Sequence, residues 1–278
     1  MKLLIKRVLK KIGVYYFLQG EYANAQFVAE RNKNRKLFKK FAGQGFMCNN
    51  CGHSYSRFVP APPLDENKES IRKKNIIIGY GENIYCPYCM CGARERLVLA
   101  MLQHEIDVKG KKILHLSPEK SIYQYIAPLA YVITGDIEPG FYKRTAPDII
   151  TLDATDFTFE NNSFDIVIGN HMLEHIPDDA KAMKEFYRIV KPGGIAILQV
   201  PYSDTIPATL EEPFINDRKR QSELFGQNDH VRLYQLADYM ERLRRTGFNV
   251  KYISPEELRL KFPSFIFQPG EGFILIEK

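Results

Sequence analysis

The 278-residue sequence predicts an α/β fold built on a mainly parallel sheet. Three observations carry that prediction. From Lys111 onward, short apolar strands alternate with helical stretches, the pattern that right-handed crossovers produce. The strand segments are runs rich in Val, Ile and Leu, as expected of strands covered on both faces. The composition is 45% apolar and 26% charged, that of an ordinary folded protein rather than a disordered or multispanning one.

The elements follow in chain order. Leu3, Leu4, Val8, Leu9 and Ile12 recur at helical spacing between lysines and predict a short basic amphipathic helix. It either touches an anionic membrane surface or RNA, or packs on the protein's own body. A second helical stretch covers residues 22–41, with a basic outer face. Residues 1–47 hold eleven lysines and arginines against Glu21 and Glu30, a net of +9. The chain total is +6, so the remainder carries −3. The basic character therefore belongs to an N-terminal unit, residues 1–42.

Residues 43–92 form a second, loop-rich unit. Glycines flank the first cysteine pair, and Pro60, Pro62 and Pro63 break any helix. Residues 65–74 are highly charged, and Ile76-Ile-Ile-Gly leads to the second pair. A CxxC turn points two thiolates at one tetrahedral ion, and two such turns complete a four-sulfur site. Cys48, Cys51, Cys86 and Cys89 are thus the expected ligands of a structural zinc ion in a zinc-ribbon-like module. Cys91 in place of Cys89, or His53 as a donor, are the alternatives. An odd cysteine count arranged in pairs argues against a secreted disulfide framework. The opening Met1-Lys-Leu-Leu-Ile-Lys-Arg lacks the long apolar stretch of a signal peptide. A reducing, cytoplasmic setting is the expectation.

Residues 93–278 form the third unit. A helix over 93–106 carries the apolar stripe Leu97, Ala100, Met101. Strands are expected at 113–116, 131–135, 149–152, 164–169 and 195–200, with a helix over 178–190. A helix at 236–245 and strands at 249–254 and 273–277 bring the sheet to seven strands with helices on both faces.

In an open parallel sheet, ligands bind beyond the carboxyl ends of the strands, where the strand order reverses. Those ends carry Ser117-Pro-Glu-Lys-Ser, Asp136, Asp153-Ala-Thr-Asp and Asn170-His-Met-Leu-Glu-His-Ile-Pro-Asp. A carboxylate after the second strand suits the two hydroxyls of a ribose. The first turn lacks GxGxxG, and no glycine lies between Gly110 and Gly135. That weighs against a pyrophosphate, which needs close backbone approach.

Leu152-Asp-Ala-Thr-Asp-Phe-Thr-Phe, Asn162-Ser-Phe-Asp-Ile-Val-Ile, Leu173-Glu-His-Ile-Pro-Asp and Ile189-Val-Lys-Pro-Gly-Gly follow in an order and spacing that resembles the class I S-adenosylmethionine-dependent methyltransferases, closest to the branch called methyltransferase type 11. The resemblance covers about residues 93–278. It implies a Rossmann-like sheet and S-adenosyl-L-methionine as cofactor. It also implies that Asp136 binds the ribose hydroxyls, and that Asp153 and the Ala154 amide meet the adenine. Asn170 and His171 would face the methionine part and the substrate. Pro192-Gly193-Gly194 would be a structural turn. The first motif departs from the family, with His115 at the acidic position and Ser117-Pro118-Glu119 in the glycine run. Ser117 and Glu119 would then supply side-chain contacts, Glu119 to the ammonium.

Methyl transfer to a hydroxyl needs a base, and histidine is the natural one near neutral pH. His171, His175 and His230 are the candidates. His230, in the segment 201–235 that would cover the substrate, is favoured, with Asp229 orienting it and Arg232 binding an anionic group. The alternative is that Asp229, His230 and Arg232 knit that cover to the core. His175 is expected to cap the following helix. The acceptor expected is a small molecule or sugar, methylated at oxygen. One alternative is an RNA methyltransferase, with the zinc module and basic N-terminus on RNA, although the module offers only Tyr55, Arg57 and Phe58 as a basic–aromatic cluster. A non-catalytic zinc-ribbon scaffold is the other.

Overall fold

The computed structural model describes residues 14–278, so the amphipathic helix expected over residues 3–12 lies outside the described residues. The described residues begin with helix α1 (Val14–Leu37) and a 3-10 turn, Lys39–Phe41. Two hairpins follow, β1 (Ala42–Met47) with β2 (Ser54–Tyr55) and β3 (Val59–Ala61) with β4 (Gly81–Tyr85), and α2 (Asp65–Lys73) is inserted in the second. Next come α3 (Ala93–His104), β5 (Lys112–Leu116), α4 (Lys120–Ile126), β6 (Tyr131–Asp136), β7 (Ile150–Thr151), β8 (Phe164–Ile168), α5 (Asp179–Ile189) and β9 (Val190–Ile197). A cover segment holds β10 (Tyr202–Ser203), β11 (Leu210–Glu211), α6 (Arg218–Phe225) and β12 (Arg232–Gln235). The chain ends with α7 (Leu236–Thr246), β13 (Asn249–Ile253), α8 (Pro255–Lys261) and β14 (Phe273–Glu277).

The central sheet has seven strands in the order β13-β14-β9-β8-β5-β6-β7. The pairs from β7 to β9 are parallel, and β14 lies antiparallel between β9 and β13. The Rossmann-like fold class is therefore as the sequence predicts. The alternation of side chains along each strand splits the core in two. Ile113, Ile166, Ile168 and Ile197 face α3 and α4, where Leu97, Leu99, Met101, Ile122 and Ile126 are buried. Leu114, Val167, Ala196 and Leu198 face α5 and α7, through Met183, Phe186, Ile189, Tyr239 and Leu243. Gly135 in β6 packs where a Cβ would stand 2.2 Å from Leu152 Cδ1, so only glycine fits.

Two expectations change. Among the described residues α1 already runs from Val14, ahead of the expected residue 22, because these turns find a partner: the Tyr16 ring packs edge-on against Phe141 at 5.1 Å. Its far end is fixed too, since Arg35 lies over the Tyr88 ring and donates to the Tyr88 carbonyl at 2.7 Å. The charged stretch after residue 64 forms α2 rather than a loop. Ser70 Oγ donates to the Glu223 carbonyl on α6 at 2.9 Å, and Ile71 and Ile76 pack beside Phe225. The insertion between the two cysteine pairs is thus folded onto the cover segment, which accounts for its length.

The cysteine unit is continuous with the sheet. Cys48, Tyr55, Phe58 and Cys86 share one buried cluster with Leu97 and Ile113. Arg96, fully buried, ties the two by donating to the carbonyls of Asn83, Ile84, Cys91 and Ile266.

Candidate active site and cysteine cluster

The sheet order reverses between β5 and β8, and a cavity of about 800 Å³ opens there, beyond the carboxyl ends of β5 to β8. Ser117, Glu119, Asp136, Asp153, Ala154, Asn170 and His171 all line it. Of the residues expected to bind cofactor or act on substrate, all but His230 and Arg232 stand in its walls.

The first turn works without its glycines. Ser117 takes the left-handed conformation, φ 45°, that a glycine would otherwise supply. Its hydroxyl donates to Asp136 Oδ2 at 2.6 Å, while the Glu138 amide donates to Oδ1 at 2.7 Å, so the Asp136 carboxylate is fixed in direction. His115, expected only as a substitute at the acidic position, is fully buried with Nε2 2.7 Å from Glu119 Oε2. Asn170 Nδ2 donates to Glu119 Oε1 at 3.1 Å. Both oxygens of Glu119 are thus held at the mouth of β5, and the missing acid is supplied four residues later. Asp153 Oδ1 accepts from the amide and hydroxyl of Thr155, both at 2.8 Å.

A second cavity of about 290 Å³ shares Glu119, Asn170 and His171 with the first. Its other walls come from the cysteine unit and α3, including Tyr80, Tyr85, Arg94 and Glu95. Arg94 Nε stands 3.6 Å from Glu271 Oε1, and burial pushes Glu271 up to about 7. No sequence signal marked this cavity, because its walls come from distant segments. His171 sits at the junction of the two cavities. Burial first, then Arg94, His230 and His175, holds its imidazole well below the usual range, so it is neutral at pH 7.

The histidines after β8 are otherwise arranged than expected. His230 is 1% exposed and lines neither cavity. It lies behind His175, the two rings edge-on with centroids 4.8 Å apart, and burial holds it down to about 2. Asp229 does not orient it: its carbonyl is 3.1 Å from His175 Nδ1, and its carboxylate accepts from Gln227. The cap of α5 is not His175 but Asp178, whose side chain accepts from the Lys181 amide at 2.9 Å.

Arg232 is corrected as well. It is 1% exposed and faces no substrate space. Its guanidinium donates to the carbonyls of Leu173, Ile176 and Pro177 and lies 3.6 Å from Asp179 Oδ2 and 3.4 Å from Glu211 Oε2. It knits β12 to the loop after β8, as the alternative reading had it. Arg232→Met is expected to cost about 3 kcal/mol, because three carbonyls lose their charged donor in a buried setting, while Asp179 and Glu211 keep Arg242. Chemical denaturation checks this, and a midpoint unchanged from wild type would remove the assignment.

The four cysteines converge. Cys48 Sγ lies 3.7 Å from Cys89 Sγ, and Cys51 Sγ 3.7 Å from Cys86 Sγ. All four sulfurs lie within 4.8 Å of one another, and none forms a disulfide. The two turns are built alike: the residue after each second cysteine, or the one it stands for, is left-handed, Gly52 at φ 75° and Met90 at φ 62°. Their amides donate to the carbonyls of Cys48 and Cys86, both at 2.8 Å. His53 stacks on Tyr88 at 3.4 Å, and Cys91 Sγ faces Gly92 and Glu95, so both stand outside the cluster.

Residues 120–198 match the methyltransferase domain family. Over 74 residues the chain is 35% identical to demethylmenaquinone methyltransferase of Staphylococcus epidermidis and 40% identical to that of Staphylococcus aureus. Each stretch covers 26% of this chain and 31% of the relative, so the chain spans about a third of the curated relatives it matches. Among solved structures, an S-adenosylmethionine dependent methyltransferase from Mesorhizobium loti is similar with a TM-score of 0.45 and 16% identity, over 67% of this chain and 96% of that one. Phosphoethanolamine N-methyltransferase 2 of Haemonchus contortus has a TM-score of 0.43 and 19% identity, over 62% and 40%. No helix among the described residues is long and apolar enough to cross a membrane.

Proposed function

We propose that this chain transfers a methyl group from S-adenosylmethionine to an oxygen of a small-molecule or sugar acceptor. The observation that carries the reading is the pair of adjacent cavities, the larger bearing two carboxylates after consecutive strands and the smaller sharing Glu119, Asn170 and His171 with it. The cofactor supplies an electrophilic methyl group on a sulfonium. Asp136 would accept from the ribose hydroxyls, Asp153 and Ala154 would meet the adenine, and Glu119 would pair with the ammonium. Nothing in the walls resembles a phosphate cradle, which suits a phosphate-free nucleoside. A space of about 290 Å³ suits a small acceptor and not a polynucleotide. His171, neutral at the junction, is placed to take the acceptor's proton.

The four-cysteine cluster fits a structural zinc ion. With Zn–S near 2.3 Å, a regular tetrahedron has edges of about 3.8 Å, against the 3.7 Å separations here. Four thiolates leave no open coordination position, so the ion would hold the two hairpins and take no part in the reaction. Five free thiols fit the reducing, cytoplasmic setting expected from sequence.

Calorimetric titration with S-adenosylmethionine is expected to give micromolar binding. Labelled methyl transfer should then appear on hydroxylated small molecules. Absence of heat at millimolar cofactor would reject the reading, and salt-dependent RNA binding with methyl transfer to RNA would replace the acceptor class.

A further inference from the structure

The described residues leave ten buried side-chain polar atoms without a hydrogen-bond partner. Three of them, Glu174 Oε2, His230 Nδ1 and His171 Nδ1, lie in the histidine group after β8. An unpartnered buried acceptor costs about 1–3 kcal/mol, so their concentration in one place calls for a reason. Glu174 and His230 are each 1% exposed, so neither can turn to solvent. One donor atom each of Glu174, His175 and His230 lies within 4.8 Å of the other two.

The groups around this cluster favour a cation. His175 Nδ1 is 3.1 Å from the Asp229 carbonyl, which fixes the proton on Nδ1 and leaves the lone pair on Nε2. A backbone carbonyl or carboxylate in that position is the usual orienting partner of a metal-bound imidazole. Glu174 Oε1 is 3.8 Å from His171, and the Glu174 carbonyl is taken by the Val231 amide at 2.9 Å. No arginine or lysine lies within ion-pair distance of the Glu174 side chain among the described residues, and Arg94 reaches it only through its longer-range field. Two imidazoles and one carboxylate form the donor set of divalent transition ions with open positions.

We propose that Glu174, His175 and His230 form a second metal site, distinct from the four-cysteine cluster, for a divalent transition ion such as zinc, manganese or iron. His175 lines the large cavity, so the ion has one side toward it. Three protein donors leave at least a fourth position, open to water or to an oxygen of a bound molecule. The site gives His230 a role that its burial denies it as a base. The inference is independent of the methyl-transfer reading.

The test uses the full chain, stripped with chelator under reducing conditions and titrated with Co²⁺. Two equivalents are expected to bind. One gives intense thiolate-to-cobalt absorption from the cysteine cluster, and the other only weak ligand-field bands of nitrogen and oxygen donors. Glu174→Gln keeps the side chain's shape, and His175→Ala changes a part-exposed wall residue. Each should weaken the second equivalent on the order of 100-fold or more while leaving the thiolate absorption intact. Binding of a single equivalent by the wild-type chain at millimolar Co²⁺ would overturn the proposal. So would a second equivalent that survives in both variants. Loss of the thiolate bands alone would concern the cysteine cluster and leave the second site standing.

Discussion

Replacing Cys48 by serine is expected to unfold the hairpins of residues 42–61 and 81–92 and to destabilise the whole chain. Cys48 is fully buried and belongs to the same core cluster as Phe58, Leu97 and Ile113. Structural zinc contributes about 10–16 kcal/mol of apparent binding free energy in small modules, comparable with the total stability of a domain. Only part of this is lost when the sheet survives. A loss of about 5 kcal/mol corresponds to a fall in Tm of roughly 10–20 °C for a chain of this size. Differential scanning calorimetry with cobalt–thiolate absorption as the second readout checks it. A chain that melts normally with the thiolate absorption gone would sink the structural role of the ion.

The second large effect is expected at Asp136. Its carboxylate is aimed by the Ser117 hydroxyl and the Glu138 amide, at 2.6 and 2.7 Å, and both contacts lie at the rim of the cavity rather than in the core. Asp136→Ala would remove the two charge-assisted hydrogen bonds proposed to the ribose. The expected loss is about 3 kcal/mol or more, at least ~100-fold in Kd for S-adenosylmethionine. Tm should move little. Unaltered affinity by calorimetry would show that the ribose is held elsewhere.

The central sheet was legible because its strands are buried on both faces, and such strands must be written in Val, Ile and Leu. The cysteine pairs were legible because a CxxC turn sets two thiols on one side, and the four sulfurs of two such turns do converge. Helix α2 was not, and the reason is physical. The face it buries carries Asn67 and Ser70, so no apolar period announces it. The strands β10 and β11, of two residues each, are too short to display an alternation at all. His115 could be seen as a departure from an acidic position. Its partner Glu119 stands four residues on, a spacing that would have paired them had the turn been read as compact. His230 and Arg232 were legible as polar residues but not in their direction. Arg232 opens β12 and His230 stands two residues before it, and both buried side chains meet the loop after β8 instead of lining the cavity. Sequence polarity identifies a residue with work to do, and only packing says on which side of the wall it does it.

The contact between α2 and the cover segment also bears on the order in which the chain can fold. The cysteine unit leaves the ribosome early, yet Ser70 and Lys74 meet their partner, the Glu223 carbonyl, across 153 and 149 residues. Arg96 closes a comparable loop to the Ile266 carbonyl, across 170. Contacts of such high sequence separation form late, because the loop must be closed before they are rewarded. This early-synthesised unit therefore completes late. Until the final strands are made, its exposed apolar face is the part of the nascent chain most open to a chaperone.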